Sequence, residues 1–413
     1  MTLSHLLIGA VLLVPGVARA AEPEPPASDA PPGAPALTPD EQKAIEDSLG
    51  APSEPVTPEP AVTVPSFVQS MNPDLSLIFD TALGWFSDDD PEELGDHDPR
   101  RTGFTLQQLE LHASASVDPF FRLDANLVFG EDGVEVEEAF ATTTALPAGL
   151  QLRAGRFLAR FGKRNGTHPH QWSFLDQPLV LGKFFGSDGG AGLGLEVSWL
   201  APLPWYVELV GSAQGATGEC CARSFYGDSD PSIHALDDFV YLIALKQFFD
   251  LSDDWALQWG LSAELGANSS ARGNRTAIYG TDLFLRWKPT RGEAHRSVDL
   301  LVELLARTRQ VPGDLLVDWG GFAELRWQLD AQWAIAARHE LVTGLDDDPL
   351  DADWTGNRQR TALAIDFMPS HFGRLRLQGG ADVQGWKSGA DQVGGFVMLG
   401  LEVGIGAHGA HAY

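Results

Sequence analysis

A period of two constrains this chain more than any other feature. From residue 74 onward, apolar and polar side chains alternate over stretches of about ten residues, a length that crosses a bilayer when tilted. The polar face of these stretches is frequently charged. In DLSLIFDTALGWF, Leu75, Leu77, Phe79, Leu83 and Trp85 share one face, with Ser76, Asp80 and Gly84 on the other. LQQLELHASASV sets Leu109, Leu111, Ala113, Ala115 and Val117 against Gln108, Glu110, His112, Ser114 and Ser116. FFRLDANLVFG sets Phe121, Leu123, Ala125, Leu127 and Phe129 against Arg122, Asp124 and Asn126. A soluble sandwich buries its apolar face between sheets and turns its charge outward. Lipid outside and water inside require the reverse, and the pattern fits that arrangement.

About sixteen such segments are readable, a number within the range of outer-membrane barrels. They begin near residues 74, 104, 120, 133, 149, 192, 204, 238, 254, 276, 297, 315, 331, 359, 373 and 394. Tight turns fall at 117–120, 146–149, 201–204, 250–254, 328–332 and 369–373, with a longer one at 289–296. The connections between them are mostly long and polar: 87–103, 159–191, 216–237, 266–275, 344–358 and 386–393. Alternation of short turns with long loops is the rhythm of periplasmic turns and extracellular loops. An open sheet edge in lipid would leave backbone groups unpaired, so the sheet must close. The expected fold is therefore all-β, a closed antiparallel transmembrane barrel of about sixteen strands.

Two segments strain this reading. Residues 238–249, DFVYLIALKQFF, are apolar on both faces. In VEVEEAFATT, the phase that turns Val134, Val136 and Phe140 outward also turns Glu138 outward, which calls for a bulge or a position at the membrane edge. In the last strand, Val397, Leu399, Leu401, Val403, Ile405 and Ala407 form the apolar face, and Tyr413 falls in the same phase. An aromatic final residue on the lipid face resembles the assembly signal of bacterial outer-membrane proteins. Twelve tryptophans suit aromatic girdles at the two interfaces.

Residues 1–20 read as a signal peptide, with HLLIGAVLLVPGVA followed by Ala18-Arg19-Ala20 as cleavage pattern. Residues 21–70 are rich in Pro, Ala and acid and read as a largely disordered periplasmic linker, leaving 71–413 as the barrel. The only two cysteines are adjacent, Cys220 and Cys221, so they are either a vicinal bridge or two thiols. A net charge of −29 argues against nucleic acid as a partner.

The third extracellular connection, 159–191, is the longest and carries Phe161, Trp172, Phe174, Phe184 and Phe185. A long loop with that many aromatics packs, and in a barrel of this size it can fold inward and narrow the pore. It contains RNGTHPHQW, where His168 and His170 flank Pro169. The two histidines either hydrogen-bond within the loop or supply half of a metal site, zinc being the type case, completed by Asp176, His112 or loop carboxylates. No nucleophile elbow, HExxH or Walker loop is present, so the chain is not read as an enzyme. No resident cofactor is expected.

The inward phase carries Asp80, Glu110, Asp124, Glu135, Glu137, Glu196, Glu208 and Glu264 among many carboxylates. Arg122, Arg153, Lys246, Arg286 and Arg307 are among the cations that face them, and cross-strand pairing neutralises many of both. The excess is acidic, as are the loop runs SDDDPEELGDHDP at 87–99 and DDDPLDAD at 346–353. A cation-preferring pore is expected. Its lining or constriction would include Lys163, Arg164, His168, His170, Asp176, Lys183, Glu110, Asp124, Glu137 and Glu196. The basic trio Lys163, Arg164 and Lys183 could form a small anion step if it faces the channel.

NPDLSLIFD, VEEAFATTTALPAGLQLRAGRFLARFGKRNGTHPHQW and FLDQPLVLGKFFG resemble zinc-regulated outer-membrane proteins, among the phosphate-selective porin O and P-like barrels. The resemblance covers roughly 72–413 and implies an outer-membrane barrel with porin-type passage of small hydrophilic solutes. Some members carry a TonB-dependent receptor label, but a receptor of that type has a globular plug and about twenty-two strands. A structural or adhesive barrel with an occluded lumen is the alternative, and an outer-membrane hydrolase the third reading. Porins of this size are often homotrimers; one sequence carries no readable interface.

Overall fold

A computed structural model describes residues 73–88, 94–99, 101–131, 133–215, 218–227, 229, 235–291, 295–345, 348–352, 354–385 and 392–406. The expected signal peptide and Pro-rich linker, and the terminal Tyr413, lie outside the described residues.

Sixteen strands form one closed antiparallel barrel. In chain order the first eight are β1 (Asp74–Phe86), β2 (Gly103–Ser116), β3 (Phe121–Phe129), β4 (Val134–Thr143), β5 (Leu150–Leu158), β6 (Ala191–Leu200), β7 (Tyr206–Gln214) and β8 (Val240–Asp250). The remainder are β9 (Trp255–Ala267), β10 (Arg275–Trp287), β11 (Ser297–Val311), β12 (Asp314–Gln328), β13 (Trp333–Val342), β14 (Arg358–Ser370), β15 (Gly373–Gln384) and β16 (Gln392–Gly406). Each begins within two residues of the position read from the alternation. Neighbours in sequence pair throughout, and β1 closes on β16 from Ser76↔Gly406 to Phe86↔Phe396.

The apolar phase faces out. Leu83, Leu195, Leu261, Leu325, Leu363 and Leu399 are exposed around the barrel, as the bilayer requires. Trp199, Trp205, Trp255, Trp327 and Trp333, with Phe120 and Phe372, are exposed beside the short turns and form the periplasmic girdle.

The doubly apolar β8 has a physical reason. Tyr241 and Ile243 face lipid, whereas Val240, Leu242 and Ala244 face inward and are buried. They join Phe161, Leu179, Val180, Leu181, Phe184 and Phe185 of the β5–β6 connection (159–190, hereafter L3) in an apolar core inside the barrel. Ile278 of β10, Leu301 and Leu305 of β11 and Phe322 of β12 are among the wall residues of that core.

Replacing Leu363, mid-strand on the lipid face, with Arg should cost about 2–4 kcal/mol. Urea unfolding of the protein refolded into lipid vesicles measures it; an unchanged midpoint would mean that this face does not meet hydrocarbon.

Candidate functional site

Two β-bulges aim polar side chains at L3. Against β1 the register of β2 shifts between Asp80 and Thr81, leaving Gln107 as the extra residue. Against β3 the pairs Asn126↔Glu138 and Leu127↔Val136 leave Glu137 as the extra residue in β4. A bulge breaks the period of two, so consecutive side chains can share a face. Gln107 and Gln108 are accordingly both buried, as are Glu137 and Glu138. This corrects the outward placement of Glu138. Phe140 is also inside: the Arg153 guanidinium lies 4.9 Å from its ring centroid, and it packs edge-on to the fully buried Phe157.

L3 crosses the lumen and is fastened to the opposite wall. One carboxylate oxygen of Glu303 (β11) accepts the backbone N–H groups of Lys163 at 2.8 Å and Arg164 at 2.6 Å. The Arg164 guanidinium donates to Glu324 (β12) at 2.6 Å. Farther along, Asp176 accepts from Arg338 (β13) at 2.7 Å and Arg360 (β14) at 2.6 Å, and from Gln378 (β15). Burial opposes the Asp176 charge, but the two guanidinium groups hold the carboxyl below its ordinary range. The short helix α1 (Leu179–Phe184) starts at Glu340 (β13), whose carboxylate accepts the Leu179 N–H at 2.7 Å. Lys183 is buried against Asp318 (β12) at 2.7 Å. The wall makes room for L3 with glycine: a side chain at Gly280 would collide with Phe161, and one at Gly400 with Leu175.

His168 and His170 stack with ring centroids 5.7 Å apart. His168 reaches Glu137 through Nδ1 at 2.9 Å and Glu138 through Nε2 at 3.1 Å, and Asn126 also lies 2.9 Å from Nε2. Carboxylates on both ring nitrogens call for a proton on each. Burial works against that charge, yet Glu137 first, then Glu138 and Glu110, hold the imidazole protonated well above its usual value. His170 Nδ1 contacts Glu110 at 3.1 Å. The two rings thus turn to different carboxylates. The donor atoms that gather within 4.8 Å of one another are those of Glu110, Glu137 and His168, without His170.

Of the other expected lining residues, Asp176 and Lys183 are enclosed in ion pairs, and Lys183 does not join a basic step in the channel. Glu196 is paired with Arg153 at 2.8 Å, and Asp124 with Arg122 at 3.0 Å. His112 contacts Asn126 and lies one residue removed from His168. The carboxylates of the 346–353 run are not all free at the mouth. Asp348 pairs with Arg309, and Asp351 with Arg307, Arg309 and Arg223. Cys220 and Cys221 are disulfide-bonded on α2 (Glu219–Ala222).

Separate cavities that share lining residues lie along L3. An outer cavity of about 370 Å³ is lined by Asp96, His97, Arg101, Glu131 and Glu135. A narrow space of about 20 Å³ lies among His97, Glu137, Thr167, Trp172 and Asp188. That is room for about one water molecule. Thr167 and Trp172 also line an inner cavity of about 310 Å³ toward the periplasmic half. There Lys163, Arg164, Arg286, Arg326 and Arg374 outnumber Asp299 and Glu324. Sequence reading missed His97 and Asp188; the only available signal was a histidine between two aspartates in GDHDP.

Asp176→Ala leaves Arg338 and Arg360 without their shared anion and should destabilise the barrel by about 3–5 kcal/mol. Urea midpoints measure this; wild-type stability would remove Asp176 as a fastener of L3. A carbon-13 histidine titration should give His168 a midpoint well above 6.5. Because the folded value is raised, its stabilisation is full below about pH 6.5 and fades as pH rises through the folded midpoint. A midpoint below 6.5 would contradict the carboxylate cradle.

No family model matches the chain. The fold is similar to the outer membrane channel DcaP of Acinetobacter baumannii at 12% identity, covering 81% of this chain and 97% of that one, with TM-score 0.54. It is also similar to Pseudomonas putida OprB, at 10% identity, 81% and 94% coverage and TM-score 0.55. The trimer form of OmpT, an outer membrane protein of Vibrio cholerae, matches at 11% identity, 81% and 99% coverage and TM-score 0.51. These likenesses show the fold, the closed barrel of outer-membrane porins. In sequence, an uncharacterized protein of Aquifex aeolicus (strain VF5) is 30% identical over 386 residues, covering 83% of this chain and 80% of that protein. The chain belongs to one family with that Aquifex protein, and the fold of the family is a porin-type barrel.

Proposed function

We propose that the protein is an outer-membrane channel for small hydrophilic solutes, preferring cations, with divalent metals such as zinc within its solute class. The observation that carries this reading is the series of cavities past His97, Thr167 and Trp172, whose narrow part is bordered by Glu137 and Asp188. Charge counts most where the path is narrowest and least screened by water, and there Asp188 adds to Glu137, which the His168 imidazolium partly balances, against the basic inner cavity. The inner cations are also largely matched: Arg286 with Asp299, Arg164 with Glu324 and Arg374 with Glu402. Kinship with zinc-regulated outer-membrane proteins and a homotrimeric assembly belong to the same proposal; the trimer form of the Vibrio cholerae neighbour supports the latter.

A barrel with a closed lumen, structural or adhesive in role, is the second reading. The apolar core that L3 builds inside the wall favours it.

Planar-bilayer recording separates the two. The channel reading expects stepwise openings and a reversal potential of cationic sign in a potassium chloride gradient. Glu135→Gln with Glu137→Gln should move that potential toward zero. Silence from heat-modifiable, properly folded protein would favour the closed barrel, and an anionic reversal potential would overturn the selectivity.

A further inference from the structure

A second group of metal-type donors lies away from His168, where the β1–β2 connection meets the end of L3. Candidate donor atoms of Asp96, His97 and Asp188 lie within 4.8 Å of one another. One imidazole and two carboxylates suit a divalent first-row transition metal at bond lengths near 2 Å, after small side-chain adjustments.

The imidazole is set up for this role by its surroundings. His97 Nδ1 lies 2.9 Å from the backbone carbonyl of Gln107, which can only accept, so Nδ1 carries the proton. In the neutral ring Nε2 then presents its lone pair. A backbone carbonyl that fixes the ring in this way is the usual outer partner of a metal-bound histidine. The Gln107 side chain returns a bond to the His97 carbonyl at 2.8 Å and another to the Leu175 carbonyl at 3.0 Å. The β2 bulge is what puts Gln107 there.

The carboxylates are held by separate segments. The Asp96 N–H donates to Ser187 at 3.2 Å and the Asp188 N–H to Cys220 at 2.9 Å. Next to His97, Asp98 clamps the turn, accepting from Gly95 and Gln177 at 2.9 Å each. The Asp188 Oδ1 atom is shut off from solvent and has no hydrogen-bond partner among the described residues. A buried carboxylate oxygen left in that state is costly unless something cationic meets it. The neighbouring outer cavity holds Glu131 and Glu135, and the arginines there are engaged with them, Arg101 with Glu131 at 3.1 Å and Arg156 with Glu135 at 3.2 Å.

We infer that Asp96, His97 and Asp188 form a binding site for one divalent transition-metal cation at the outer opening of the lumen, tying the first extracellular loop to L3. The site needs no conduction through the barrel, so it stands or falls separately from the channel reading. It is also distinct from the sulfur side of Asp188, since the disulfide between Cys220 and Cys221 leaves no thiolate to ligate.

Calorimetric titration of the folded, detergent-solubilised protein with zinc chloride tests it, with cobalt(II) absorption as a second readout of the donor set. One equivalent should bind, and His97→Ala or Asp188→Asn should weaken binding by roughly tenfold or more. Heat-modifiable gel migration verifies that each variant folds, and Asp96→Asn serves if one does not. His168→Ala/His170→Ala and Cys220→Ser/Cys221→Ser should leave the affinity unchanged. No saturable binding, binding indifferent to His97 and Asp188, or binding lost with His168 would each overturn the site.

Discussion

Closure of the backbone hydrogen-bond ladder is the constraint on which everything else rests. In hydrocarbon, an unpaired strand edge costs several kcal/mol per polar group. The pairing of β1 with β16 removes the last edge, and the outward apolar phase follows from the same solvent. Closure also creates an inside, and its character decides what the protein can do. A ring of sixteen strands encloses more volume than its own side chains fill. L3 occupies that space.

The interior is polar at the wall and apolar at the centre of L3, and the two are joined by charge. Asp176 between Arg338 and Arg360, Arg164 on Glu324 and Lys183 on Asp318 are buried pairs. Such pairs give little net stability over an apolar replacement, yet breaking one partner is strongly destabilising. They therefore act as registration points that allow L3 one position across the lumen. Many carboxylates of the acidic excess are neutralised in such pairs, Glu196 by Arg153 and Asp299 by Arg286 among them.

The alternation in the chain made the fold legible because a strand between lipid and water leaves a signal at every residue. All sixteen segments could be placed from it, including β8, whose two apolar faces looked anomalous. Its inner face supports L3, a contact between residues far apart in sequence. The site was less legible. His168 and His170 drew attention as a pair, yet they turn to different carboxylates, Glu137 and Glu110. His97 and Asp188 come from loops separated by four strands, and no local pattern links them.

The sequence by itself determined the strand count, the lipid-facing phase, the turn–loop rhythm and the presence of a long aromatic loop, because each depends on near neighbours along the chain. Only the tertiary structure decided which polar residues meet. Two one-residue bulges, at Gln107 and Glu137, redirect side chains by half a period, and L3 selects partners from the far wall. Those choices depend on distances through the lumen, which a one-dimensional pattern does not encode.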